Sequence, residues 1–115
     1  FDYFGAAICI SGANSVIIRN SGLIDNSSYS FGGAIGSIFT DNIVIENCRI
    51  IGNKAGSDSD GGAIYVSSGN SVNVVITESW IDNNSAKNSG GIHVHSVYDG
   101  EVSITDSTIS NNNRD

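Results

Sequence analysis

Proline and methionine are both absent from these 115 residues, and Lys and Arg together number five against twelve Asp and Glu. Each scarcity excludes something. A net charge of -7 with a pI near 4.4 leaves no basic patch for nucleic acid or for an anionic membrane surface. No apolar run approaches the ~18 residues of a transmembrane helix. Two cysteines, Cys9 and Cys48, are too few for a disulfide scaffold and do not fix a redox compartment. No charged-then-apolar leader is seen. The start at Phe1, without an initiating Met, reads as a processed or excerpted piece, so the missing leader does not imply a cytosolic protein.

What remains is Gly, Ser, Asn, Ile and Val. With 39% hydrophobic residues, evenly spaced, this is strand-and-turn composition rather than disorder. The order of these residues is more telling than their amounts. Gly5-Ala6-Ala7-Ile8, Gly32-Gly33-Ala34-Ile35, Gly61-Gly62-Ala63-Ile64 and Ser89-Gly90-Gly91-Ile92 are one phrase written four times, with the isoleucines 27, 29 and 28 residues apart. Each is followed by a second block of form V/I-x-I-x-N/E/D-S/C-x-I/L-x-x-N, at 16–26, 43–53, 74–84 and 102–112. A period in this range marks stacked supersecondary units. Length varies between the blocks, as at 67–73, which places insertions at turns.

Each unit offers three short strands: a GGAIYV-type block, V-x-I and S-x-I. Strands this short cannot pair within their own unit. They can pair with their equivalents one coil above and below, at about 4.8 Å. Alternation then sets the columns. Val16, Ile43, Val74 and Val102 point inward, as do Ile18, Ile45, Ile76 and Ile104, and Leu23, Ile50, Ile81 and Ile109. Ser21, Cys48, Ser79 and Ser107 form a small-residue corner. Asn26, Asn53, Asn84 and Asn112 form a column whose amides can bond from coil to coil and whose residue type tolerates the left-handed backbone of a turn. Asn20 and Asn47 mark another corner, where Glu78 and Asp106 replace them. The expected fold is all-β, a single-stranded parallel β-helix of about four rungs of about 28 residues, with 1–115 as one domain of a larger chain or assembly.

Gly33-Ala34-Ile35 with Ile50-Ile51-Gly52-Asn53, and Gly62-Ala63-Ile64 with Ile81-Asp82-Asn83-Asn84, resemble the GGAI/FxxN repeats of polymorphic outer-membrane proteins, with Leu or Ile in place of the Phe. More broadly the chain resembles right-handed parallel β-helix proteins. That resemblance implies the right hand. It covers adhesins, surface proteins and polysaccharide-acting enzymes alike, so it does not imply one activity. The outer-membrane family's autotransporter barrel is absent from these residues, which leaves that family's secretion route without support.

Functional candidates lie where the repeats differ. Trp80 falls between inward positions and should face out, in the column Gly22, Arg49, Trp80, Thr108, with Arg49 placed to stack on the indole. It suits a sugar platform or a subunit contact. The bland alternative is an indole covered by a neighbouring loop or by Arg49 alone. Tyr65 lies beneath His93, and His93 and His95 share a strand face without a third metal ligand, so a solvated face competes with zinc. Glu78 and Asp106 sit on neighbouring rungs as paired carboxylates. Such pairs resemble those of polysaccharide lyases and glycosidases, but no basic partner belongs to their column. Asp58-Ser59-Asp60 has an acidic character suited to Ca²⁺ without the spacing of a known calcium loop. Asn26-Ser27-Ser28 and Asn83-Asn84-Ser85 match the N-glycosylation pattern, with Asn83 the freer of the two. Arg19 and Glu46 stack as a surface ion pair.

Two readings of function follow. The first is a structural or adhesive module of a secreted or cell-surface protein, part of a stalk, coat or filament, whose open coil ends are covered by flanking domains or by copies of itself. The alternative is a domain that binds or degrades polysaccharide through Trp80 or the Glu78/Asp106 pair. Glycans are a further candidate partner, through the second reading. Nucleic acid, a membrane span and a cofactor other than Ca²⁺ are not expected.

Overall fold

The computed structural model describes residues 7–56, 58–68, 71–96 and 100–114. The chain winds through β1 (Ile8–Ser11), β2 (Ser15–Arg19) and β3 (Gly22–Ile24), then β4 (Ile35–Ile38), β5 (Asn42–Glu46) and β6 (Arg49–Ile51). It continues through β7 (Ile64–Ser68), β8 (Asn73–Thr77), β9 (Trp80–Asp82) and β10 (Ser85–Ala86), and ends with β11 (Ile92–Ser96), β12 (Glu101–Thr105), β13 (Thr108–Ser110) and β14 (Asn113–Arg114). Three parallel sheets result, each four strands deep: β1-β4-β7-β11, β2-β5-β8-β12 and β3-β6-β9-β13. The path returns to its first sheet three times, so this is a parallel β-solenoid.

The register is that of the repeat. Ile8, Ile35, Ile64 and Ile92 pair in one column. Ile18, Ile45, Ile76 and Ile104 pair in another. Period-2 alternation sends these residues inward. Ile43, Ile45, Ile50, Ile64, Ile76 and Ile81 are completely buried, each contributing roughly 1.5–3 kcal/mol by leaving water. The same columns stay partly open in the last coil, where Val102, Ile104 and Ile109 are 46%, 42% and 41% exposed.

Corners form where single residues adopt positive φ. Asn20, Asn47, Glu78 and Asp106 do so between the second and third sheets, at φ 53°, 50°, 50° and 49°. The expected corner column is therefore real, including its two carboxylates. The next corner differs from expectation. Its left-handed residues are Asp25, Gly52, Asn83 and Asn111, each one position before the asparagine column. Those turns free Asn26, Asn53, Asn84 and Asn112 to aim their amides inward.

There they form a continuous ladder. The Asn53 backbone N–H and its Nδ2 both donate to Oδ1 of Asn84, at 2.8 and 2.9 Å. The same pair of bonds joins Asn26 to Asn53 and Asn84 to Asn112. The second Nδ2 hydrogen of Asn53, Asn84 and Asn112 goes to the carbonyl of Leu23, Ile50 and Ile81 respectively, each at 2.9 Å. Asn53 and Asn84 are buried yet fully satisfied, which is the condition for a polar group inside a core.

A second relay runs through the small corner. Ser79 donates its hydroxyl to the Thr77 carbonyl at 2.9 Å and accepts the Cys48 N–H at 3.1 Å. Ser107 does the same for Thr105 and for the Ser79 N–H. Cys48 stands in a serine position, its thiol 3.2 Å from the Glu46 carbonyl, and is buried as expected.

A fourth, narrow ladder was not evident from the repeat. Ser27, Lys54 and Ser85 bridge in parallel, and β10 pairs with β14. It passes beside the glycines of the repeated phrase, and this explains them. A Cβ on Gly33 or Gly62 would overlap the backbone of the adjacent coil.

Candidate functional site

Trp80 opens β9, and alternation that buries Ile81 turns the indole outward, 50% exposed. Its column is the expected one, Gly22, Arg49, Trp80 and Thr108 in register. The Arg49 guanidinium lies 5.3 Å from the ring centroid, a contact worth roughly 0.5–1 kcal/mol at an exposed site. Gly22, further along the column, offers no side chain.

Two open clefts of about 240 Å³ meet at the ring. The first is lined by Glu78, Ser79, Trp80, Asp106 and Thr108, on the side toward the next coil. The second is lined by Arg49, Ile51, Trp80 and Asp82, toward the preceding coil. The fold thus joins Trp80 with Glu78 and Asp106, which the sequence suggested only as separate candidates. Both carboxylates belong to left-handed corner residues and are exposed. Neither side chain is hydrogen-bonded or ion-paired among the described residues. Asp82 is the residue that sequence reasoning missed. It faces outward two positions after Trp80, which alternation alone would have shown. Its Oδ1 accepts from Ser110 Oγ and Asn111 Nδ2, both at 3.0 Å, so its carboxylate is held in place.

The remaining candidates lie apart from this site. Tyr65 and His93 belong to the first sheet. The Tyr65 ring is sandwiched, 4.5 Å from Phe31 and 5.3 Å from His93. His93 Nδ1 lies 3.4 Å from Ser89 Oγ, while His95 is exposed. Among the described residues no three His, Cys, Asp or Glu side chains come close enough to hold a metal ion. Asp58 pairs instead with Lys87 Nζ at 2.8 Å. The hydrogen bond from Lys87, reinforced by its charge, holds the Asp58 carboxyl below its usual value. The pair therefore exists above the ordinary carboxylate range and is lost as pH falls through the lowered value. Asp60 Oδ1 is buried without a partner among the described residues. Of the two sequon asparagines, Asn26 is committed to the ladder, while Asn83 is exposed at its corner. Arg19 and Glu46 form the expected exposed pair at 3.5 Å. Cys9 is exposed and Cys48 buried.

The Trp80 face has the parts for binding: a flat ring fixed by a cation, unpaired carboxylates beside it and a rigid sheet beneath. Among the described residues both clefts are open to solvent.

The family model described as a right handed beta helix region matches residues 1–115. Comparison with curated proteins and with solved structures gives no match.

Proposed function

The chain belongs to the right-handed β-helix family, and on that basis we propose that it is a rigid structural or adhesive module of a secreted or cell-surface protein, contacting carbohydrate through the face around Trp80. The observation that carries this reading is the half-exposed indole held by Arg49 at the junction of two open clefts. What distinguishes Trp80 from the more exposed Tyr29 and Phe39 is that its ring lines both clefts and offers them a large amphipathic face. A flat ring suits the apolar face of a pyranose, and neighbouring carboxylates suit its hydroxyls. The residues that the repeats share are already engaged in core, ladder and corners, so contact chemistry falls to those they do not share.

Trp80 is the chain's single tryptophan, so its fluorescence reports on this site alone. Titration with a panel of soluble oligosaccharides is expected to shift that emission for at least one member. Trp80→Ala, followed by calorimetry, should weaken binding of that member at least about fivefold, taking as a guide the ~1–3 kcal/mol that a nucleobase gains by stacking on an aromatic. Its unfolding free energy from urea denaturation should stay within about 1 kcal/mol of the parent, because the indole is not part of the core. A panel with no binder, or binding unaffected by Trp80→Ala, contradicts the proposal.

A second reading draws on one specific observation, that Glu78 and Asp106 line the same cleft as Trp80. Two carboxylates flanking a bound sugar are the machinery of glycoside cleavage. Depolymerisation of a panel glycan that disappears in Glu78→Gln would establish that reading over the adhesive one.

A further inference from the structure

The corner between the second and third sheets has two chemistries, and their contrast bears on the ligand. In the first two coils it carries Asn20 and Asn47, whose side chains bond to each other, Asn47 Nδ2 donating to Asn20 Oδ1 at 2.8 Å. Asparagine suits the left-handed backbone there, so this pair is the stable solution for the position. The next two coils abandon it. Glu78 and Asp106 take the same backbone angles. Two ionised carboxylates one coil apart, about 4.8 Å along the solenoid, repel each other, and neither can donate to the other. Glutamate also lacks the short side chain that eases a positive φ. The positive φ belongs to this corner in every coil, so what sets these two coils apart is charge: two exposed carboxylates with no partner among the described residues.

The change coincides with the indole. Asn47 precedes Arg49 by two residues as Glu78 precedes Trp80, so the carboxylates appear in the coils where Trp80 and Thr108 replace Gly22 and Arg49. Arg49 already stacks on Trp80 from the preceding coil. The cleft toward the next coil is bounded by the ring, Thr108 and the two carboxylates, with no cation. An anionic sugar would meet repulsion from this pair and from a chain of net charge -7. A cation beside the ring would satisfy both carboxylates and the indole face.

Resting on the carbohydrate-contact reading, we propose that this cleft selects amine-bearing sugars, with the ammonium between Glu78 and Asp106 and the pyranose ring over Trp80. The open, shallow form of both clefts favours an extended saccharide over the single side chain of a basic peptide. Asp82, anchored by Ser110 and Asn111, would meet a further sugar residue in the second cleft.

The test is tryptophan-fluorescence and calorimetric titration of the intact chain with oligoglucosamine, its fully N-acetylated counterpart and a lysine oligopeptide, at a pH where the free amine is protonated. Oligoglucosamine is expected to bind at least about tenfold more tightly than the acetylated oligomer, and more weakly as salt rises. Glu78→Gln and Asp106→Asn should each reduce that preference about twofold to fivefold, weakening oligoglucosamine more than the acetylated oligomer. Equal binding of both oligomers overturns the amine selectivity and leaves the carbohydrate-contact reading standing. Binding of the peptide alone overturns both. Oligoglucosamine binding that keeps its preference in the Glu78→Gln, Asp106→Asn double variant removes these residues from the site.

Discussion

Gly62→Ala is expected to destabilise the protein by more than about 4 kcal/mol, or to prevent folding, a loss reserved for changes the native backbone cannot absorb. The reason lies in the spacing between coils. A Cβ at Gly62 would overlap the Gly90 carbonyl oxygen and stand 2.5 Å from that of Ser85. Both are backbone atoms: the Ser85 carbonyl accepts the Ala55 N–H at 3.0 Å, and the Ser89 carbonyl, next to Gly90, accepts the Gly62 N–H at 2.8 Å. No rotamer change relieves the clash. Separating the coils would stretch the hydrogen bonds of two adjoining sheets. Gly22 is the control. An added Cβ there meets only the Ile24 side chain, at 3.7 Å, so Gly22→Ala should change stability by less than about 1 kcal/mol. Urea unfolding of both variants checks the contrast. Equal midpoints for the two would show that the coils are not packed at this distance.

Asn84→Leu is expected to cost at least about 3 kcal/mol, although leucine has the same branched outline and is more apolar. Oδ1 of Asn84 accepts two hydrogen bonds from Asn53, and its Nδ2 donates to Asn112 Oδ1 and to the Ile50 carbonyl. Leucine strands the Asn53 N–H, one Asn53 amide hydrogen and the Ile50 carbonyl in a dry interior. Each orphan costs roughly 1–3 kcal/mol. Asn26 stands at the end of the ladder and is only half-buried, and its side chain donates to Asn53 without supporting a coil below it. Asn26→Leu should therefore cost only about 1 kcal/mol. Denaturant midpoints that rank the two variants in the opposite order would contradict the ladder as the bond network that spans the coils.

Most of the fold was legible because its columns repeat one chemistry. Ile8, Ile35, Ile64 and Ile92 pair as their spacing implied, and the corner at Asn20, Asn47, Glu78 and Asp106 was visible despite two substitutions. The neighbouring corner was misplaced by one residue. Tolerance of positive φ does not distinguish Asn83 from Asn84, and the choice depends on which side chain must reach the interior. The fourth ladder was invisible for another reason. Ser27, Lys54, Ser85 and Asn113 do not repeat one side-chain type from coil to coil, since only their backbones pair.

At the candidate site, alternation set Trp80 outward and register put Arg49 on it. It did not show that the left-handed corner brings Glu78 and Asp106 into the same cleft as the indole. Nor did it show that Tyr65, on another sheet, is covered on one side by Phe31. Phe31 lies outside the regular strands, where spacing carries no information about contacts.

Hydrogen exchange of the asparagine side-chain amides, followed by NMR, tests the closure of coil on coil most directly. The amides of Asn53 and Asn84 donate only to groups in neighbouring coils, so their hydrogens should exchange only when the whole domain unfolds. The exposed amide of Asn88 should exchange at the free rate in the same sample. Exchange of Asn84 as fast as that of Asn88 would contradict the stacked-coil account.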